Sequence, residues 1–383
     1  KDIIQHISEL KGILESKSKR MEIIKEELLE VKEKYGEERR TEIIEDFESL
    51  SIEDMIAEEE MVLTITHNGY IKRTNLNTYR SQRRGGRGVQ GASSREEDFV
   101  EHLFVANTHS YILFFTDKGK CYWVKVYDIP EGGRAAKGRA IVNLIGCEPD
   151  EKVSAFISVK EFNDDHFVVM ATEKGIVKKT KLSAYSNPRK KGIYAVEIRD
   201  GDKLIEARVS TGDNDILLGT RNGKSIRFSE EQIRPSGRKT MGVKGITLSS
   251  EDDRLVGMLL IKREGTTVLV ATEKGFGKRT EISQYRAQNR GGKGVLTMKT
   301  TDKVGKMVTI KEVVDKDDLM IITNQGVLIR QPVSQIRAIG RATQGVKLIK
   351  LGEGTLVSSI TRIMSEEDSG DENNSTEPKG NTE

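Results

Sequence analysis

Aromatic side chains make up only 5% of the 383 residues, with a single Trp, and the chain holds just 6 Pro and 2 Cys. The cysteines, Cys121 and Cys147, lie far apart with no second ligand pair near them, so neither a zinc site nor a disulfide framework is supported. Both read as buried, reduced thiols. No apolar run approaches the ~18 residues of a membrane-spanning helix, and no signal peptide is read ahead of the longest of them. It therefore reads as soluble and cytoplasmic, with no membrane partner. The chain begins at Lys1 without an initiator Met and is expected to be a piece of a longer protein.

What is present is charge and glycine: 32% charged residues, 36 Gly and a net charge of +3. The overall balance names no partner, but its distribution does. Residues 1–60 hold 10 basic against 19 acidic residues, a net of −9, and residues 365–383 hold 1 against 7, a net of −6. The intervening residues 61–364 hold 52 against 34, a net of +18. A basic body between acidic ends points to a polyanionic partner.

Ile3, Ile7, Leu10 and Leu14, then Met21, Ile24, Leu28, Val31 and Tyr35, keep the 3,4 spacing of a helical seam, which Lys17 interrupts. Two helical stretches broken near residues 15–20 follow, with Gly36 as a stop signal. The pattern fits a coiled coil and an ordinary amphipathic helix packed on a neighbour equally well. The acidic residues 41–60 read as a linker with room for one short helix, and residues 365–383 as a disordered acidic tail. That tail either competes with the polyanionic partner for a basic surface or only keeps the chain soluble.

The body is a repeat. Six times an alternating apolar, β-branched run ends in a polar-Gly turn and resumes as a second strand, with turn glycines at Gly69, Gly119, Gly175, Gly223, Gly275 and Gly326. Ten residues beyond these stand Tyr79, Ile129, Tyr185, Ile233, Tyr285 and Ile336, which read as core anchors. Four residues beyond stand Arg73, Trp123, Lys179, Arg227, Arg279 and Arg330, five of the six basic. Nineteen residues beyond stand Gly88, Gly138, Gly242, Gly294 and Gly345, the third repeat being offset to Gly192. A period near 50 with about four short strands per unit predicts a closed array of six blades in residues 61–364, a mainly β propeller-like fold preceded by an α-helical segment.

Several motifs mislead. Gly86 to Gly91 spells a dinucleotide-binding pattern, but basic loop precedes it where a strand is required. Gly219 to Ser225 resembles a phosphate loop, yet its Gly223 is the fourth hairpin turn. The five His show neither ligand spacing nor a triad. No catalytic, metal or cofactor residue is assigned.

What remains is Gln82-Arg83-Arg84-Gly85-Gly86-Arg87-Gly88. Three guanidiniums suited to bidentate phosphate contacts sit among glycines that let a backbone approach closely. The fifth repeat echoes it as Gln288 to Gly294, including Arg290 and Lys293, and shorter basic loops occur at 134–139, 189–191, 234–244 and 337–341. One basic loop per blade makes a ring of charge.

The heptapeptide, the six repeats and the run Lys32 to Ile43 resemble the carboxyl-terminal part of the bacterial DNA gyrase A proteins, over nearly the whole chain except its tail. The resemblance implies that residues 1–40 end a breakage-reunion domain with its coiled-coil arm. It implies that 61–364 form a six-bladed β-pinwheel, in which blades exchange strands, that wraps double-stranded DNA so that strand passage introduces negative supercoils. By the same resemblance Gln82 to Gly88 form the gyrase A box, which joins the first blade to the last. Arg73, Lys179, Arg227, Arg279, Arg290, Lys293 and Arg330 are expected as secondary DNA contacts. The partners implied are the gyrase B protein, which would carry ATP and Mg2+, and a second copy of the gyrase A protein in a heterotetramer. The fragment itself is not catalytic; its cleavage tyrosine would lie upstream. A topoisomerase IV domain is the nearer alternative, which six repeats and an unbroken box argue against. A protein-binding propeller scaffold is the farther one, opposed by the lone Trp123.

Overall fold

The computed structural model describes residues 1–37, 52–66, 68–75, 100–133, 136–148, 150–261, 265–325, 328–352 and 354–363. They fall into two units, Lys1–Met55 and Ile56–Glu383. The first contains α1 (Asp2–Glu15) and α2 (Lys17–Tyr35). Ser16 separates them and caps α2 by accepting from the Lys19 amide at 3.4 Å. Gly36 does end α2, but from an extended conformation with φ −68°, so it does not serve as a left-handed cap. Both helices leave their apolar stripe exposed, Ile3 and Leu14 included.

The second unit is built of six antiparallel sheets, five of four strands and one of three described strands. In spatial order, blade 1 is Val100–Asn107, Glu60–Thr66, Tyr70–Asn75 and Arg139–Ala140; blade 2 is Val153–Val159, Tyr111–Thr116, Lys120–Lys125 and Ile193–Tyr194. Blade 3 is Leu204–Ser210, Phe167–Thr172, Ile176–Lys181 and Val243–Lys244; blade 4 is Leu255–Ile261, Asp215–Thr220, Lys224–Ser229 and Val295–Leu296. Blade 5 is Met307–Val313, Thr267–Thr272, Phe276–Glu281 and Val346–Lys347; blade 6 is Val357–Ile363, Asp318–Thr323 and Leu328–Pro332. The first-named strands of successive blades from 2 to 6 lie beside one another, and that of blade 6 returns to that of blade 1. This is the mainly β, six-bladed arrangement that the repeat predicts.

The hairpins form where expected and for a visible reason. In each of the first five, the turn glycine donates its amide to the carbonyl of a Thr three residues before it, as Gly119 does to Thr116 at 2.9 Å. The same Thr hydroxyl accepts from the amide opening the next strand, as Thr116 does from Lys120 at 3.3 Å. Gly175 and its counterparts take positive φ values near 80°.

Alternate residues of each central strand feed opposite interfaces. Ile112 and Phe114 pack between blades 1 and 2, whereas Leu113 and Phe115 pack between blades 2 and 3. Val169 and Ala171 serve blades 3 and 4, Leu217 and Val270 blades 4 and 5, and Leu269 and Ile321 blades 5 and 6. Both faces are buried, which is why these runs read as almost wholly apolar. The five described anchors, Ile129, Tyr185, Ile233, Tyr285 and Ile336, are all buried as expected. Cys121 is a buried thiol, but Cys147 is only half-buried. The longest interval between turn glycines, in repeat 2, holds an extra helical turn, α3 (Ile141–Ile145).

The outermost strand of each complete sheet comes from the following repeat. Ile193–Tyr194 of repeat 3 pairs with Lys120 and Cys121 of blade 2, and Val243–Lys244 of repeat 4 with Ile176 and Val177 of blade 3. Blades 1 to 5 thus take a strand from the next repeat, and each of the first five turn-glycine carbonyls accepts from the incoming segment, as Gly175 does from Gly245 at 2.9 Å.

Candidate nucleic-acid interface

The incoming two-residue strand is preceded by the basic loop, so strand exchange places one such loop at the outer edge of each blade from 1 to 5. Exposed cations line these loops: Lys137 and Arg139 on blade 1, Arg189, Lys190 and Lys191 on blade 2, and Arg234, Lys239 and Lys244 on blade 3. Arg286 and Lys293 follow on blade 4, and Arg337 and Lys347 on blade 5. Several rest on aromatic rings, Lys137 over Tyr70 at 4.0 Å and Lys347 over Phe276 at 5.9 Å, which fixes their stems without covering their charge.

The register glycine that ends each loop faces the fold. At Gly242, φ is +88° and an added Cβ would lie 2.5 Å from the Val177 carbonyl oxygen of the preceding blade. Gly138, Gly294 and Gly345 meet the equivalent carbonyls of Ile71, Ser225 and Gly277. These glycines let strands, rather than a ligand, come close.

Five of the six residues at the fourth place beyond the turn are turned inward, Arg330 being the exception. Arg73 Nε donates to the Ile129 carbonyl at 2.7 Å and Arg279 Nε to the Ile336 carbonyl at 2.6 Å. Arg227 grips Asp215 at 2.6 Å and also donates to the Tyr285 carbonyl at 3.3 Å. Trp123, the one non-basic member, donates from Nε1 to the Tyr185 carbonyl at 2.9 Å. Each reaches the backbone of the next repeat's anchor, so this register is a staple between blades. Lys179 differs: its side chain, 5% exposed, pairs with the fully buried Glu230 at 2.9 Å. Arg279 is 9% exposed and also pairs with Asp315. Arg330 is exposed and pairs with Asp318. Arg290 is half-buried, donating to the Gln232 carbonyl at 3.0 Å and the Lys244 carbonyl at 3.3 Å, while Lys293 is exposed. The box residues Gln82, Arg83, Arg84, Gly85, Gly86, Arg87 and Gly88 lie outside the described residues, as does the tail.

Sequence reasoning missed a second set, Lys72, Lys178 and Lys278, all buried under the loops. Their signal was a lysine recurring between an apolar residue and a Thr on one strand face, as in Ile176, Lys178 and Thr180. Among the described residues no His, Cys, Asp and Glu cluster is arranged to hold a metal, and no helix is long and apolar enough to cross a membrane.

Comparison with known proteins places this geometry. A family model described as the DNA gyrase C-terminal domain, beta-propeller, matches six times, at residues 60–107, 110–160, 166–211, 214–262, 266–313 and 317–363. The DNA gyrase A protein of Staphylococcus epidermidis is 46% identical over 370 residues, covering 96% of this chain and 41% of that protein. Its Staphylococcus aureus counterpart is 45% identical over 384 residues, covering 100% of this chain and 43% of that protein. The chain therefore spans about two fifths of the length of these relatives. Among solved structures, a topoisomerase IV C-terminal domain superposes with a TM-score of 0.71 at 26% identity, covering 81% of this chain and 95% of that one. A DNA gyrase A C-terminal domain gives 0.64 at 23% identity, covering 80% and 100%, and supports the fold alone.

Proposed function

Since the chain belongs to the DNA gyrase C-terminal domain family, we propose that its six-bladed unit binds duplex DNA along the loop-bearing edges of its blades and wraps it. The observation that carries this is the strand exchange, which sets an exposed basic loop on every blade from 1 to 5. DNA has a persistence length of ~150 bp, so bending it around a small disc costs several kcal/mol. Many distributed phosphate contacts offset that cost without reading sequence.

In this reading Arg83, Arg84 and Arg87 are the principal clamps, and Arg290, Lys293 and Arg330 add contacts. Arg73, Lys179, Arg227 and Arg279 support the edge from beneath. Blade 6 has three described strands where the others have four. The family resemblance implies that the box, Gln82 to Gly88, joins the first blade to the last. The wrap would fix the handedness of the crossing offered for strand passage, and so yield negative supercoils in a cytoplasmic assembly of two gyrase A and two gyrase B proteins. ATP and Mg2+ would act in the gyrase B protein.

In the reassembled enzyme, alanine at Arg83, Arg84 and Arg87 together is expected to abolish supercoiling while leaving relaxation and cleavage. Supercoiling at the wild-type rate would refute the box assignment. A second reading, a topoisomerase IV domain, draws on the TM-score of 0.71. A topology assay on relaxed circles separates them, because only gyrase would introduce negative supercoils.

A further inference from the structure

The third residue beyond the turn glycine alternates along the chain. It is Lys72, Lys178 and Lys278 in repeats 1, 3 and 5, but Tyr122, Ile226 and Ile329 in repeats 2, 4 and 6. All three lysines are buried, and although Glu197 acts on Lys178 from a distance, neither Lys178 nor Lys278 is in an ion pair with a carboxylate of the described residues. A buried ammonium is costly unless its hydrogens are satisfied, and here backbone carbonyls do so. Lys72 Nζ donates to the Gly133 carbonyl at 3.1 Å. Lys178 Nζ donates to Ala195 at 2.7 Å and to Arg238. Lys278 Nζ donates to Gly340 at 2.7 Å, to Arg341, and to Thr343 Oγ1 at 3.1 Å.

The acceptors Gly133, Arg238, Gly340 and Arg341 occupy equivalent places, fourteen or fifteen residues beyond the turn glycine of the following, even-numbered repeat. They belong to its edge loop. Packing does not demand the charge, because Ile226 fills the same place in repeat 4 and is fully buried. Above Ile226 lies Gly292 of the Asn289 to Gly294 loop, whose added Cβ would touch Ile226 Cδ1 at 3.3 Å. With the carbonyls of Arg238 and Arg341 drawn inward, the trans peptide turns the N–H groups of Lys239 and Ala342 the other way, toward the loop's outer side.

We propose that Lys72, Lys178 and Lys278 are positioning residues, each fixing the edge loop of the next even-numbered repeat in the shape that meets the DNA backbone. The DNA-binding edge then alternates loops clamped by a buried ammonium with loops seated on an apolar side chain. In repeat 6 the same place is held by Ile329, so no lysine stands there. A pre-shaped loop orders less on binding and so binds more tightly. The inference rests on the DNA-wrapping reading above.

The test compares the full chain with Lys178→Met, Lys278→Met, the double variant and Thr343→Val. Each is titrated with a linear mixed-sequence duplex over a range of salt, alongside thermal unfolding. Methionine keeps the buried volume and removes the charge, so folding is expected to persist. The double variant should bind roughly tenfold more weakly, and its slope of log K against log salt should fall by about 0.9 for each phosphate no longer neutralised. A purely structural role would lower Tm and leave that slope alone. Wild-type affinity and slope in the double variant would overturn the clamp and leave DNA binding standing, whereas failure of the wild-type chain to bind duplex would overturn the reading beneath it. If the methionine variants do not fold, Thr343→Val decides from the exposed side: a reduced slope supports the clamp and an unchanged one overturns it.

Discussion

Trp123 and Arg279 have little chemistry in common, yet both donate to the carbonyl of the next repeat's anchor, at 2.9 and 2.6 Å. A shared acceptor, rather than a shared charge, defines this place in the repeat. Trp123→Phe removes the donor together with part of a ring packed on the core and is expected to cost about 1–2 kcal/mol. Arg279→Ala also strips packing from a nearly enclosed side chain and should cost about 2–3 kcal/mol, read from the denaturant midpoint at constant m. For Arg279→Ala the salt slope of DNA affinity should stay at its wild-type value, and a drop of one unit would restore it as a phosphate contact. The recurrence of basic residues here was legible in one dimension. Their inward direction was not, because an arginine that staples and one that binds phosphate look alike until the strand face is known. Trp123 was the clue: a staple tolerates any N–H donor of sufficient reach, whereas a phosphate contact calls for charge.

Hairpins were the most readable elements, since a Thr capping a tight glycine turn is a local event that sequence encodes directly. Strand exchange was less readable because the two-residue outer strands, such as Val243–Lys244, are too short to show periodicity. The glycine before each of them did signal something, but its conformation serves the approach of one strand to another. Gly242→Ala is therefore expected to destabilise by about 1–3 kcal/mol, from positive φ together with collision against the Val177 carbonyl. Gly237, in the same loop, has nothing within 4 Å of an added Cβ. Gly237→Ala should change stability by no more than about 0.5 kcal/mol. Urea unfolding of the two variants checks the contrast, and equal losses would show that the loop as a whole, rather than its terminal glycine, sets the register.

For the molecule as a whole, a net charge of +18 over residues 61–364 overstates the charge offered to a partner. Part of it is spent inside: Lys179 and Arg279 lie in ion pairs, and Lys178 and Lys278 are buried against carbonyls. Those last two give stability a definite dependence on pH. Burial lowers both from their ordinary 10.5 to about 8. Below about pH 8 they are protonated whether the chain is folded or not, and contribute no slope. Between about 8 and 10.5 the unfolded chain holds more protons on these two groups, so stability rises as pH rises. Opposing them, burial raises Cys121 well above its ordinary 9.0, and raises Tyr122 to about 12, helped by its hydrogen bond to Glu151. Those groups hold their protons longer in the folded state and withdraw stability once the unfolded chain begins to ionise. The urea midpoint should therefore climb from about pH 8 toward about pH 9 and turn over near pH 10. Lys72 is lowered by burial in the same direction, so in the Lys178→Met, Lys278→Met double variant the climb should shrink to the part Lys72 carries while the alkaline fall remains. A climb undiminished in the double variant would mean that groups other than Lys178 and Lys278 carry it.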